Sequence, residues 1–156
     1  MKKLILIVFA AWSLLIISGC QTSNEALSAN EFVEQFATDF LSFKYEANTS
    51  QQESYNKQSE KLQSYFTEES YLYFTNNNYG IIPILAAEKY QSDINVKSIQ
   101  LEELFNEETK VGYTVDVKLE LPSDVATLSL TLSVSKEGSS WKIYAIRISN
   151  VDESLQ

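Results

Sequence analysis

Val111-Gly112-Tyr113-Thr114-Val115-Asp116-Val117-Lys118-Leu119-Glu120-Leu121 places an apolar side chain at every second position, with small or polar ones between. Successive side chains of an extended chain point to opposite faces, so this stretch predicts a strand with one buried and one wet face. Pro122-Ser123-Asp124 turns the chain, and Leu128, Leu130, Leu132 and Val134 repeat the alternation. Lys136-Glu137-Gly138-Ser139 is a second hairpin connection, followed by a strand over Trp141 to Ile148. In that strand the apolar phase moves from Trp141 and Ile143 to Ile146 and Ile148, which predicts a bulge near Tyr144 or burial on both faces. An earlier run from Ile94 to about Phe105 completes an antiparallel meander of at least four strands.

Upstream the period is helical. Ser28-Ala29-Asn30-Glu31 matches a capping box, in which the serine hydroxyl accepts a first-turn N–H and Glu31 reaches back. Phe32, Phe36, Phe40 and Phe43 then put four rings on one helix face, which reads as core rather than as a ligand platform. Glu46 to Ser50 is a turn. A second helix is expected from about Gln51 to Phe66, with Tyr55, Leu62 and Phe66 on one side and Glu53 four residues ahead of Lys57 as a surface pair. Thr67 caps a third, short helix that runs out at Asn76-Asn77-Asn78, and after Gly80 and Pro83 the pattern turns to strands. Helices first and a meander afterwards predict an α+β fold, with N-terminal helices packed on a curved antiparallel sheet of about four strands.

The chain opens with Met1-Lys2-Lys3, an apolar run from Leu4 to Ile17 broken only by Ser13, and then Ser18-Gly19-Cys20. A basic start, a short apolar segment and small residues before a cysteine have the form of a bacterial lipoprotein signal peptide and lipobox. As a helix the run would cover about 21 Å against a hydrocarbon core of roughly 30 Å, so it suits a cleaved signal better than a stable span. Lipidation would use the Cys20 thiol for a diacylglycerol thioether, with fatty acyl chains such as palmitate in the bilayer, and that cysteine is the only one in the chain. The expected organisation is a signal peptide over 1–19, a lipidated tether over 20–28, one α+β domain over 29–150 and a tail over 151–156. The expected location is the extracytoplasmic face of the cell membrane.

The 156 residues carry 12 basic and 21 acidic side chains, a formal charge of −9. Removal of residues 1–19 takes Lys2 and Lys3 away and leaves ten basic against 21 acidic groups, formally −11. Such a charge repels phosphate backbones, so nucleic acid is not an expected partner. The chain has no histidine, which rules out His-based catalytic triads and Cys/His zinc sites. It also lacks the Asp-rich, Gly-centred run of a calcium loop. No catalytic residue, cofactor or metal is expected.

Three constellations remain. Asp39 lies at the edge of the Phe stripe, where it reads as a partly exposed helix carboxylate or as a desolvated acid at a pocket mouth. Glu102, Glu103, Glu107 and Glu108 surround a turn and read as a solvated hairpin tip or a surface for a basic partner. Tyr71, Tyr73 and Tyr79 form the densest amphipathic aromatic group, and this is the candidate partner surface.

The pattern Phe32-x-x-x-Phe36-x-x-x-Phe40-x-x-Phe43, followed after a gap by Tyr55 to Leu62-x-x-Tyr65-Phe66, resembles the helical beginning of a nuclear transport factor two-like cone. Within that fold it is similar to conjugation proteins of the TcpC type, extracytoplasmic assembly subunits of type IV secretion machines. The resemblance spans about Asn30 to Asn150 and implies a scaffold role beside other envelope proteins. This chain departs from that pattern in having a lipid site at Cys20 where those proteins have a transmembrane helix. It also lacks the Asn-Pro-x-Gly turn of their Gram-negative relatives. Two other expectations share the same chain: an immunity or exclusion lipoprotein facing a cationic bacteriocin or a surface receptor, and a cone that holds a small ligand.

Overall fold

A computed structural model describes residues 27–156. Four helices precede a four-stranded antiparallel sheet that is curved and unclosed. Helix α1 (Ala29–Leu41) begins at the expected capping box: Ser28 Oγ accepts from the Glu31 N–H at 3.3 Å, and Glu31 Oε2 accepts from the Ser28 N–H at 2.9 Å. Helix α2 (Gln51–Leu62) is capped by Ser50, carries the Glu53–Lys57 pair at 3.0 Å, and tightens into a 3₁₀ turn over Gln63–Tyr65. Helix α3 (Glu68–Asn76) is capped by Thr67.

A fourth helix, α4 (Ile82–Tyr90), lies where the sequence reading had the pattern turning to strands. Pro83 does not break it, because it sits in the first turn, where the backbone N–H has no intrahelical partner. The run Ile82-Pro83-Ile84-Leu85-Ala86-Ala87 lacks a polar face, so periodicity could not reveal it. Residues with left-handed backbone flank this segment, Asn78 at φ 53° and Gln91 at φ 48°.

Strands β1 (Asn95–Glu107), β2 (Lys110–Glu120), β3 (Val125–Glu137) and β4 (Ser140–Val151) pair in the order β1-β2-β3-β4. The pairing slips by one residue at Lys97 and Leu104 in β1 and at Tyr144 and Ser149 in β4. The Tyr144 slip is the expected bulge. Such bulges increase local twist and bend the sheet.

The concave face carries Val111, Tyr113, Val115, Val117 and Leu119 of β2 with Ala126, Leu128, Leu130, Leu132 and Val134 of β3, all buried. The rings of α1 fill the space above it. Phe36 stacks on Phe40 at 5.6 Å between centroids and meets Tyr65 and Phe66 edge-on, both at 5.4 Å. Residues 151–156, expected as a tail, are packed: Leu155 is buried and the Lys89 ammonium binds the carbonyls of Ser154 and Gln156 at 3.2 and 3.0 Å.

On the outer face the Phe105 ring lies across Gly112, and a Cβ at that position would come within 2.2 Å of it. Gly112→Ala is therefore expected to push the ring into solvent at a cost of about 1 kcal/mol. The two-variant cycle checks this in urea melts, because in a Phe105→Ala background the same change should be neutral or stabilising.

Candidate functional site

The C-terminus of α1 ends without a basic residue of its own, and α2 supplies the donors. Gln58 Nε2 donates to the carbonyls of Asp39 at 3.0 Å and Phe40 at 2.9 Å, which leaves fewer unsatisfied acceptors at the helix end. Lys61 Nζ lies 2.9 Å from Asp39 Oδ1, and Tyr65 Oη donates to Asp39 Oδ2 at 2.6 Å. Partial burial pushes the Asp39 carboxyl up, but the bonds from Tyr65 and Lys61 and the Lys61 charge outweigh it and hold the group below its ordinary value. Burial and the bound carboxylate raise Tyr65. Asp39 is thus an ionised, doubly bonded strut from α1 to Lys61 of α2 and Tyr65 of the turn after α2, which is the helix-carboxylate reading.

A depressed carboxyl stabilises the fold fully above its unfolded value of about 3.9, and that stabilisation is lost as pH falls through the lower folded value. Glu31 and Asp152 are depressed too, through hydrogen bonds from Ser28 and Ser154, so acid should weaken the fold by all three. Asp39→Asn is expected to lower stability at pH 6 and to flatten part of the fall between pH 4 and pH 2. Urea midpoints for both proteins across that window check it.

A cleft of about 520 Å³ opens beside this cluster, with Phe43, Lys44, Lys57, Gln58, Lys61 and Asp93 in its walls. It is formed because Phe43 and Ile94 exchange backbone bonds at 2.9 and 2.8 Å, which ties the loop after α1 to the start of the sheet. Lys57 is paired with Glu53 and lies 3.8 Å from Glu46, and Lys61 is spent on Asp39, so two of its three lysines are already neutralised. No sequence signal pointed to this cleft, since its lysines come from a loop and a helix brought together only by folding.

The three candidate tyrosines lie on and just after α3, in different environments. Tyr71 is half-buried, with its hydroxyl donating to the Ser59 carbonyl at 3.2 Å. Tyr79 is half-buried and meets the Phe74 ring edge-on at 6.0 Å; burial, with the Tyr73 hydroxyl nearby, holds its phenol above the usual range. Tyr73 meets Tyr79 at 6.1 Å and is 48 % exposed, and Leu72 beside it is exposed as well. The patch therefore has Tyr73 and Leu72 as its contact surface and Tyr71 and Tyr79 as its support. Glu102, Glu103, Glu107 and Glu108 are all exposed, the first three on β1 and the last in the turn after it. Among the described residues no group of His, Cys, Asp or Glu is arranged to hold a metal, and no helix is long and apolar enough to cross a membrane. Cys20, where lipidation is expected from the sequence, lies outside the described residues.

The class this geometry defines is an α+β domain with four helices over the concave face of an antiparallel meander. No protein-family model matches the chain, and no curated protein matches it.

Proposed function

We propose that this protein is a lipid-anchored extracytoplasmic lipoprotein that works without chemistry of its own, by docking its cone-shaped domain on other envelope proteins. The narrower form of the proposal places it in a conjugative transfer or type IV secretion apparatus. What supports the docking role is the interior. The volume in which a cone would hold a substrate is occupied by Phe36, Phe40, Phe66, Phe74 and Tyr113, while Leu72 and Tyr73 stand exposed on α3. Exposed tyrosine with an apolar neighbour suits a protein contact.

Tyr73→Ala is expected to cost roughly 2 kcal/mol of binding, about thirtyfold in affinity, with little change in stability. The test recovers the partner by crosslinking from membranes of the native host and compares affinities at matched protein levels. Asp39→Asn should bind its partner as well as the parent does. Loss of function with Asp39→Asn alone, at matched levels, would replace docking with a chemical site. A second reading, an immunity or exclusion lipoprotein, is favoured by the formal charge of −9, which suits a cationic peptide. Protection from a bacteriocin by the wild type but not by Tyr73→Ala would select it.

A further inference from the structure

The exposed large apolar side chains of the described residues fall into two groups. Leu72 and Tyr73 belong to the patch on α3. Leu27, Leu104 and Phe105, 46, 53 and 38 % exposed, lie at one end of the sheet, Leu104 and Phe105 on edge strand β1 and Leu27 beside Trp141 of the opposite edge strand β4. This is the end where β1 turns into β2 and β3 into β4, as the pairs Glu107–Lys110 and Glu137–Ser140 define. The start of α1 sits there too, since Tyr113 Oη donates to Asn30 Oδ1 at 2.6 Å and Trp141 Nε1 donates to the Leu27 carbonyl at 3.0 Å.

Two lysines at this end stand over rings, Lys136 over Trp141 at 5.9 Å and Lys110 over Tyr144 at 5.3 Å. Lys142 also lies here, with its ammonium on the Ser64 carbonyl. These three offset part of the acidic charge that Glu31, Glu103, Glu107, Glu108 and Glu137 place at the same end. Apolar side chains mixed with tryptophan, tyrosine and lysine are the composition of a membrane interface.

We propose that this end of the sheet rests on a phospholipid surface, with the Tyr73 patch held away from it. The inference rests on the lipid anchor of the preceding section. Seven residues, Gln21 to Leu27, separate Cys20 from the capping serine, at most about 25 Å of chain, and Leu27, the first of the described residues, is bonded to Trp141. A tether of that length limits distance but not orientation. The apolar and lysine–aromatic surface supplies the orientation. Along β4, Trp141 and Ile148 are seven residues apart, roughly 23 Å, and Tyr79 lies beside Arg147 at the far end. The partner surface would then face outward from the bilayer.

With Cys20 lipidated, no other thiol competes for label in the full chain. A fluorophore is placed on Ser139→Cys, in the β3–β4 turn, or on Ser123→Cys, in the β2–β3 turn at the opposite end. Both lipoproteins are reconstituted in phosphatidylcholine–phosphatidylglycerol vesicles containing a headgroup quencher. Quenching is expected to be about threefold stronger at position 139 than at 123. Leu104→Glu with Lys136→Glu, which alters exposed side chains alone, is expected to bring the ratio near one while circular dichroism stays unchanged. Equal quenching at the two positions in vesicle-bound protein overturns the orientation and leaves the anchor standing. A ratio unaffected by the double substitution overturns the role of this surface. Absence of lipid mass on Cys20 removes the anchor reading, and the orientation falls with it.

Discussion

Phe36→Ala is expected to lower the thermal midpoint by roughly 10–20 °C, the consequence of about 3 to 5 kcal/mol lost on removing a fully packed ring. Phe36 is completely buried and touches rings from three directions: Phe40 in its own helix, Tyr65 in the turn after α2, and Phe66 at the edge of β4. Phe66 is held there by its bridge to Ile143, and the next residue's N–H donates to the Ile143 carbonyl at 3.0 Å. Truncating Phe36 therefore opens a cavity where three elements meet, and none can close it without leaving the sheet. A domain with ordinary marginal stability would be largely unfolded at 37 °C. Calorimetry or circular dichroism decides the matter, and a midpoint within a degree or two of the parent would mean that the aromatic stripe is not the core.

Cys20→Ser is expected to move essentially all of the protein from the membrane to the medium or to leave its signal unprocessed, without altering the fold. A diacylglycerol holds two acyl chains in the bilayer, each buried CH₂ contributing about 0.8 kcal/mol, whereas a single chain binds only reversibly. The described core is built from residues 29 onward, from Ala29 to Leu155, so loss of the lipid should leave the thermal midpoint unchanged. Intact mass and membrane fractionation of parent and variant read the outcome. Unchanged mass and unchanged partition would sink the lipoprotein assignment.

Much of the architecture was legible in the chain because it depends on local rules. The capping box at Ser28, the cap at Thr67 and the alternation from Val111 to Leu121 each specify their element through neighbouring residues alone. The bulge at Tyr144 was legible for the same reason, since a change of apolar phase has to be absorbed somewhere in the strand. Helix α4 was not legible, because its burial removes the polar face on which periodicity depends. The candidate site was legible only as composition. Three tyrosines within nine residues differ in exposure according to what α2 and the rest of the core place beside them, and only Tyr73 stands well out from the fold. Asp39 was an ambiguous carboxylate until Lys61 and Tyr65, 22 and 26 residues further on, were brought within bonding distance. By itself the sequence determined the α+β order, the starts of α1, α2 and α3, and the faces of β2 and β3. Tertiary structure alone decided that the Asp39 carboxylate is a strut, that the cone is filled, and that Leu27, Leu104, Phe105 and Trp141 share one end of the sheet. Those outcomes depend on distances between residues far apart in the chain, and such distances are set by packing.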